Sequence, residues 1–208
     1  MNLIIFDFDG TIADSFDIFI EATNCLAEDF GYPKLSSSQI ARFRKLSLKT
    51  MLQELGMPKW KLPFFLRRFR IELNRLMPDL HLVDGMKEAL VELSKEDYLF
   101  GIVTSNSRKN VESFLYTQKL NHFFDFIHGG QVLSGKAKTL KRIARHARFE
   151  PKIFIGDEVS DVEAAKRAGL SSIAVSWGFN DKQTLEQYSP DFLIEHPRQL
   201  ASIVVHYK

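Results

Sequence analysis

The sequence predicts an α/β fold with a parallel sheet and one inserted, all-helical segment. Two observations lead to this prediction. Short apolar runs alternate with helical patterns along most of the chain, as in parallel α/β sheets. After the first run, a long stretch shows only helical patterns. The 208 residues have room for one domain with a modest insertion of this kind.

Six short apolar runs are predicted to form the buried strands. Continuous apolar runs of this length are typical of strands that are covered on both faces of a parallel sheet. The runs are residues 3–6, 99–103, 124–127, 153–155, 172–175 and 192–194.

Apolar residues at helical spacing lie between most of these runs and predict the surrounding helices. The marker positions are Met86, Ala89, Leu90 and Leu93, then Val111, Phe114 and Leu115, then Leu140, Ile143, Ala144 and Ala147.

Residues 15–80 are predicted to form the helical insertion, a cap above the sheet. One helical pattern covers residues 16–30, and a second begins near Pro63, which is acceptable as a first helical residue. The second pattern places Leu66, Phe69, Leu73 and Leu76 on one face. The sheet-containing core then comprises residues 1–14 and 81–208.

The charge balance restricts the partners that we expect. The formal net charge is +2, which argues against a basic nucleic-acid-binding arm and against an acidic tail. Residues 15–80 carry 11 basic and 7 acidic side chains, a formal +4 that leaves −2 on the remainder. A basic lid over an acidic floor suits an anionic ligand beside a metal cation. For any single arginine, a solvated helix face is the alternative.

We also expect a cytoplasmic protein that does not cross a membrane. No apolar run approaches the ~18 residues that span a bilayer. The N-terminal segment lacks the positive region of a signal peptide and reaches an acid at Asp7. The single cysteine, Cys25, cannot form an internal disulfide, which favours a reducing compartment.

The first strand is followed directly by two acids, Asp7 and Asp9. If the strand's alternation continues, both carboxylates point to the same side, at the sheet edge where α/β proteins bind ligands. Two adjacent carboxylates repel unless a cation lies between them. Gly10 permits a tight turn or the close approach of a phosphate. Alternatively, Asp9 or Thr11 only caps the next helix.

A second acidic group follows the fourth predicted strand of the sheet, residues 153–155. Asp157, Glu158 and Asp161 also stand at a strand's carboxyl end, and a parallel sheet places such an end beside Asp7. Several carboxylates at one edge form an oxygen site of the kind that Mg²⁺ prefers. For Asp161, an N-cap role is the alternative.

Two further segments lie between the acidic groups in the chain. Ser105 and Asn106 follow the strand 99–103, where a hydroxyl and backbone N–H groups at a helix N-terminus can cradle a phosphate. Alternatively, Ser105 or Ser107 only caps that helix. Lys136 stands at the start of a predicted helix, where a cation opposes the helix dipole and therefore requires an anionic partner. Lys138 is the competing candidate.

Four segments resemble, in order, the motifs of the haloacid dehalogenase superfamily. They are residues 7–12 (DFDGTI), residues 103–106 (VTSN), Lys136 and residues 156–161 (GDEVSD). The likeness covers nearly the whole chain, and four ordered motifs at strand ends are a specific signal. The tail segments WGF at 177–179 and PDFLI at 190–194 further resemble the phosphoglycolate phosphatase-like branch. The resemblance implies a Rossmann-like core with a helical cap inserted after the first motif.

The resemblance also implies a phosphatase mechanism with assigned residues. Asp7 would be the nucleophile that forms an aspartyl-phosphate, and Asp9 the general acid and base. Mg²⁺ would bind the Asp7 carboxylate, the Asp9 backbone carbonyl and Asp157. Asp161 would hold a metal-bound water or Lys136 in position without being a direct ligand of the metal. The implied phosphate-binding residues are Gly10, Thr11, Ser105, Asn106 and Lys136.

The chain departs from the family pattern at two positions. Members usually carry proline shortly after the lysine of the third motif, but Ala137 follows Lys136 here, which leaves the choice between Lys136 and Lys138 open. Glu158 stands where a smaller residue is common, so it either joins the metal site or faces solvent.

The expected substrate is a small phosphorylated metabolite, resembling phosphoglycolate. Arg42, Arg44 and Lys45, in the predicted cap, are candidates to bind a second anionic group of that substrate. A sugar-phosphate mutase of the β-phosphoglucomutase type and a non-catalytic binding protein are the alternatives. A true dehalogenase is disfavoured because it would not need Asp9. The sequence leaves open whether the protein is a monomer or a dimer.

Overall fold

A computed structural model describes residues 2–130, 135–145 and 150–206 of the chain. Its main sheet has six strands in the order β5-β4-β1-β6-β7-β8, and every neighbouring pair is parallel. The strands of this sheet are β1 (Asn2–Phe6), β4 (Tyr98–Val103), β5 (Phe126–His128), β6 (Glu150–Gly156), β7 (Ser171–Val175) and β8 (Phe192–Ile194). The predicted parallel α/β core is therefore confirmed.

A second, two-stranded ribbon was not predicted from the sequence. It pairs β2 (Ala13–Asp14) with β3 (His81–Leu82) in antiparallel register. Strands of two residues are too short to produce an alternating pattern, so no periodicity identifies them. The ribbon thus pairs the segment that leads from β1 into the helices after it with the segment that leads from those helices back to the sheet.

Helices surround the sheet and also fill the segment between β2 and β3. The helices before β3 are α1 (Phe16–Cys25), α2 (Ala27–Phe30), α3 (Ser37–Phe43), α4 (Leu48–Glu54) and α5 (Leu62–Leu76). Those after it are α6 (Met86–Leu93), α7 (Arg108–Thr117), α8 (Gly135–Arg145), α9 (Val159–Ala168), α10 (Lys182–Gln187) and α11 (Gln199–His206). Ala147, the last predicted position of α8, lies outside the described residues.

The sheet is covered on both faces because successive side chains of a strand point to opposite sides. Ile4 and Phe6 of β1 pack with α6, α7 and α11 on one face. Leu3 and Ile5 pack with α8 and α9 on the other. This two-sided burial explains why the strands are continuous apolar runs in the sequence.

Residues 16–79, called here the helical block, have an apolar core of their own. Its centre is aromatic: the ring of Phe19 lies 4.8 Å from that of Phe69, which stacks on Phe65 at 5.5 Å. The predicted helix over 16–30 is interrupted at Leu26, and Gly31 ends α2 with a left-handed φ of 76°. The short α3 and α4 were not predicted; the hydroxyls of Ser36 and Ser47 cap them.

Within the described residues, no helix combines the length and the apolar character needed to cross a membrane.

Candidate active site

Three adjacent strands end at the same place and bring the predicted motifs together. β1 lies between β4 and β6. The chain adds β4 and then β5 on one side of β1, and afterwards β6, β7 and β8 on the other side. Such a reversal of strand order leaves a crevice at the carboxyl ends of the strands. Asp7, Thr104 and Asp157 are the residues that directly follow β1, β4 and β6. All three are buried.

Three acids converge in this crevice. Asp7, Asp157 and Asp161 each place one carboxylate oxygen within 4.8 Å of the others, and all three are buried. Oδ1 of Asp7 has no hydrogen-bond partner among the described residues, although it is inaccessible to solvent. A buried acceptor without a partner is costly, so this atom is where a ligand would be expected.

Lys136 is the cation that faces these acids. Its Nζ lies 3.0 Å from Oδ2 of Asp7 and 2.5 Å from Oδ1 of Asp161, and the residue is 9% exposed. Lys138, the competing candidate, is exposed to solvent. The helical repeat of α8 thus turns only Lys136 toward the acids.

Burial and like charges dominate the electrostatics of the crevice. Burial, assisted by Asp161 and Asp9 and opposed by Lys136, raises the pKa of Asp7 to about 8. Burial also raises the pKa of Asp157, and the charges of Asp7 and Asp161 add to that effect. Burial disfavours the charge of Lys136, but Asp161 and Asp7 outweigh it and hold its pKa well above the ordinary value. A bound cation would relieve this repulsion between carboxylates.

The donor set fits Mg²⁺. The converging atoms are carboxylate oxygens, the hard ligands that this ion prefers, and one of them, Oδ1 of Asp7, is unpaired. The backbone closes tightly around Asp157: a Cβ added at Gly10 or Gly178 would lie 2.2 or 2.3 Å from its Oδ2. Only glycine leaves room there for the carboxylate.

The orientation of Asp157 is set by two hydrogen bonds from other segments. The hydroxyl of Thr11 donates to Oδ1 at 2.7 Å, and the backbone N–H of Phe179 donates to Oδ2 at 2.7 Å. The Thr11 hydroxyl proton is therefore donated to Asp157. The backbone N–H of Gly10 donates to the carbonyl of Ala13 at 2.8 Å.

Asp9 is held by an amide rather than by a cation. Nδ2 of Asn106 lies 3.1 Å from each carboxylate oxygen of Asp9. Burial raises the pKa of Asp9 to about 6, although the Asn106 bond and the charge of Lys136 oppose the rise. Ser105, the neighbour of Asn106, has an exposed side chain, whereas the hydroxyl of buried Thr104 accepts from the Asn106 N–H at 3.0 Å.

Glu158 lies at the edge of the acidic group and is half-buried. Its Oε2 accepts a hydrogen bond of 2.9 Å from the hydroxyl of Ser160, and burial raises its pKa. Its backbone N–H donates to Oδ2 of Asp161 at 3.1 Å, so Asp161 also caps the start of α9.

The three candidate cap residues differ in their surroundings. Arg42 forms a 2.8 Å ion pair with Glu54, and its side chain is 64% exposed. The guanidinium of Arg44 lies 3.8 Å above the ring of Phe16 and donates to the carbonyl of Gly178. Lys45 is exposed.

The segment after β7 contributes contacts that the sequence did not assign to the site. Asn180 is 2% exposed, and its amide nitrogen donates to the carbonyls of Arg44 (3.2 Å) and Leu46 (3.0 Å). Its Oδ1 accepts from the N–H of Val159, the first residue of α9, at 2.9 Å. The only sequence signal here was the WGF resemblance at 177–179.

Comparisons with known proteins identify the family of the chain. The chain matches the model of the haloacid dehalogenase-like hydrolase family over residues 4–175. A phosphoglycolate phosphatase of Synechococcus elongatus is 36% identical in an alignment over 206 residues that covers 98% of this chain and 97% of that protein. A pyrophosphatase PpaX of Bacillus mycoides is 25% identical and covers 98% and 97%.

A solved structure supports the fold. A hydrolase of the haloacid dehalogenase-like family from Streptococcus pneumoniae superposes with a TM-score of 0.83 at 23% identity, covering 100% of this chain and 99% of that chain. The family match spans most of the chain, and the Synechococcus relative is similar over its full length. The chain therefore belongs to the haloacid dehalogenase-like hydrolases, in their phosphoglycolate phosphatase-like branch, and is a phosphoric monoester hydrolase.

Proposed function

We propose that this enzyme hydrolyses a small phosphomonoester through an aspartyl-phosphate on Asp7, with Mg²⁺ as cofactor. The observation that carries the proposal is the unpaired, buried Oδ1 of Asp7. The other oxygen of the same carboxylate faces Lys136 at 3.0 Å, so the residue is oriented and Oδ1 is left for the substrate or the metal. An aspartate carboxylate is one of the side chains that form covalent phospho-enzyme intermediates.

The proposed chemistry proceeds in two displacements. A carboxylate oxygen of Asp7 attacks phosphorus, the bond to the ester oxygen breaks, and Asp9 gives its proton to that leaving oxygen. Asp9 then takes a proton from water as the water attacks phosphorus, which releases inorganic phosphate and restores Asp7. The raised pKa of Asp9, about 6, suits a group that must both give and accept a proton near neutral pH.

Mg²⁺ would be held by the Asp7 and Asp157 carboxylates and by the backbone carbonyl of Asp9. When bound, it supplies positive charge that offsets the repulsion between carboxylate and phosphate. Lys136 balances charge on Asp7, and Asp161 holds Lys136 in place at 2.5 Å. Glu158 stays a candidate supporting group behind this site.

The predicted phosphate-binding residues divide into two groups by their contacts. Ser105, Asn106 and Lys136 stay candidates to contact phosphate oxygens. Gly10 and Thr11 are candidates to shape the crevice, since Gly10 leaves room for Asp157 and Thr11 donates to it.

For the substrate, we propose a phosphoglycolate-like ester. The support is the Synechococcus phosphoglycolate phosphatase, which is 36% identical along 98% of this chain. The helical block would act as the cap that selects it, with Arg42, Arg44 and Lys45 as candidates to meet the carboxylate. Pyrophosphate is a second candidate, because a pyrophosphatase PpaX is 25% identical along 98% of this chain.

Phosphate release from three phosphate esters and from pyrophosphate tests this proposal. Phosphoglycolate, pyrophosphate, glucose 1-phosphate and p-nitrophenyl phosphate are each incubated with the enzyme in Mg²⁺ or in EDTA, with Asp7→Asn as the control variant. We expect turnover in Mg²⁺ only, and none by the variant. Isomerised glucose phosphate would indicate a mutase instead. No turnover of any of the four compounds would favour a non-catalytic protein, and turnover in EDTA would contradict the metal site.

A further inference from the structure

A chain of three asparagine side chains connects the helical block to the Asp9 carboxylate. Asn106 donates to both oxygens of Asp9 at 3.1 Å. Asn110, on α7, donates to Oδ1 of Asn106 at 3.0 Å and also to Oδ1 of Asn74 at 2.7 Å. Asn74 belongs to α5 of the helical block, so the chain crosses from the block to the core.

The direction of each hydrogen bond is determined by its neighbours. The backbone N–H of Ser107 donates to Oδ1 of Asn106 at 2.8 Å. Because that N–H can only donate, the oxygen of Asn106 must face it, and the amide nitrogen must face Asp9. The ionised Asp9 carboxylate can only accept, which agrees with this orientation.

The same reasoning fixes Asn110. Its nitrogen faces an oxygen of Asn106 that already accepts from Ser107, so Asn110 must donate there. Its second amide hydrogen then points to Oδ1 of Asn74. An amide has two such hydrogens, so both donors of Asn110 are used and its orientation depends on both acceptors.

We propose that Asn74 and Asn110 are positioning residues for Asp9, which transmit the placement of the helical block to the carboxylate through Asn106. This rests on the proposed function, in which Asp9 protonates the leaving oxygen. When the block moves away, Asn110 loses one of its two acceptors and Asn106 loses an oriented donor. Asp9 then loses the geometry that proton transfer requires.

The dependence on the leaving group separates this role from a structural one. An alkyl alkoxide is a poor leaving group and needs the proton, whereas p-nitrophenolate leaves without it. A misplaced Asp9 therefore lowers kcat for an alkyl phosphate much more than for p-nitrophenyl phosphate. A general loss of folded enzyme lowers both equally.

The test measures kcat and KM in Mg²⁺ for p-nitrophenyl phosphate and for phosphoglycolate, or for another alkyl ester of the panel if that ester is turned over faster. For Asn74→Ala and Asn110→Ala we expect kcat on the alkyl ester to fall about tenfold, with KM and the p-nitrophenyl rate within about twofold of wild type. Asn74→Asp keeps the acceptor oxygen and is expected to keep the rate. The Asn74→Ala/Asn110→Ala double variant should be no slower than Asn110→Ala alone, because the loss of Asn110 already removes the hydrogen bonds that connect Asn74 to Asn106.

Controls on the same helices distinguish the possible outcomes. Arg70→Ala on α5 and Lys109→Ala on α7 change exposed side chains and should leave both rates unchanged. Asp9→Asn must itself slow the alkyl ester selectively; if it does not, the role of Asp9 in the proposed function is wrong. If Asp9→Asn is selective while Asn74→Ala equals wild type, or slows both esters alike, the proposed function stands and the positioning role is overturned.

Discussion

The backbone N–H of Phe179 donates a 2.7 Å hydrogen bond to Oδ2 of Asp157, while the ring of Phe179 packs against the helical block. The ring contacts Phe16 and Phe19 edge to face, with centroids 5.4 and 5.2 Å apart. One residue thus orients a carboxylate of the candidate metal site and supports the segment above it. Since the bond comes from the backbone, its geometry depends on the loop that holds Phe179, residues 178–181.

Gly178→Ala should damage the site by filling the space of Asp157. The added Cβ would lie 2.3 Å from Oδ2 of Asp157, a distance that forces the carboxylate or the loop to move. We expect kcat to fall at least about tenfold, or ~1.4 kcal/mol in activation free energy. Gly56→Ala is the comparison for kcat, since nothing lies within 4 Å of the added Cβ, and its left-handed φ of 72° makes a loss of stability without a loss of kcat the expected result. A Gly178→Ala enzyme with wild-type kcat would contradict the tight packing.

Lys136→Met should abolish activity, whereas Lys138→Met should not change it. Lys136 is the buried cation between Asp7 and Asp161, and Lys138 is exposed two residues away. Removing one partner of a buried charge group costs about 3–5 kcal/mol, so thermal unfolding is measured together with phosphate release. We expect a loss of rate beyond about 100-fold for Lys136→Met. Equal activity of the two variants would refute the assignment of Lys136.

Thr104→Val should impair catalysis more than Ser105→Ala does. The Thr104 hydroxyl is buried and accepts from the N–H of Asn106, the residue that holds Asp9, whereas Ser105 is exposed. Valine has nearly the same shape as threonine but leaves that N–H unpaired. We expect kcat to fall about tenfold for Thr104→Val, equivalent to ~1.4 kcal/mol. The reverse ranking would favour Ser105 as the hydroxyl that binds phosphate.

Asn180→Ala should destabilise the protein by about 2–3 kcal/mol, because it removes three hydrogen bonds at a site that is 2% exposed. The free energy of unfolding in urea measures the effect. Asn121→Ala, at an exposed position, serves as the matched control and should change stability by less than about 0.5 kcal/mol. Similar values for the two variants would show that the Asn180 bonds contribute little.

Asp191 should make stability depend on pH in the acid range. The backbone N–H of Ser172 donates to its carboxylate at 2.8 Å and the Ser172 hydroxyl at 2.9 Å, and these bonds hold the pKa of Asp191 below its ordinary value. Because the folded-state pKa is the lower one, the stabilisation is present above the unfolded pKa and lost as pH falls through the folded pKa.

We therefore expect Asp191→Asn to cost about 1 kcal/mol or less at neutral pH and nothing at an acid pH below the folded-state pKa of Asp191, where both side chains are neutral. Urea unfolding of wild type and variant at both pH values measures this. If the unfolding free energies of wild type and Asp191→Asn differ by the same amount at both pH values, the charge of Asp191 does not contribute to that difference.

Much of the fold was predictable because the spacing of apolar residues within each short segment indicates whether that segment is a strand or a helix. Each of the six apolar runs overlaps a strand of the sheet, although β5 begins at Phe126 rather than at residue 124. The run pattern reflects burial on both faces, which is a property of each strand by itself. The break at Leu26 and the short α3 and α4 carry weaker patterns, so their boundaries depended on how the helical block packs.

The sequence by itself determined which acids meet. Asp7 and Asp157 follow apolar strands directly, and parallel strands end at one edge, so their proximity follows from the order of elements. Tertiary structure alone decided the contacts between distant side chains: which lysine turns inward, that Asn106 faces Asp9, and that Asn74 reaches Asn110. These contacts depend on helix rotation and packing between segments far apart in the chain, and spacing along one segment does not encode them.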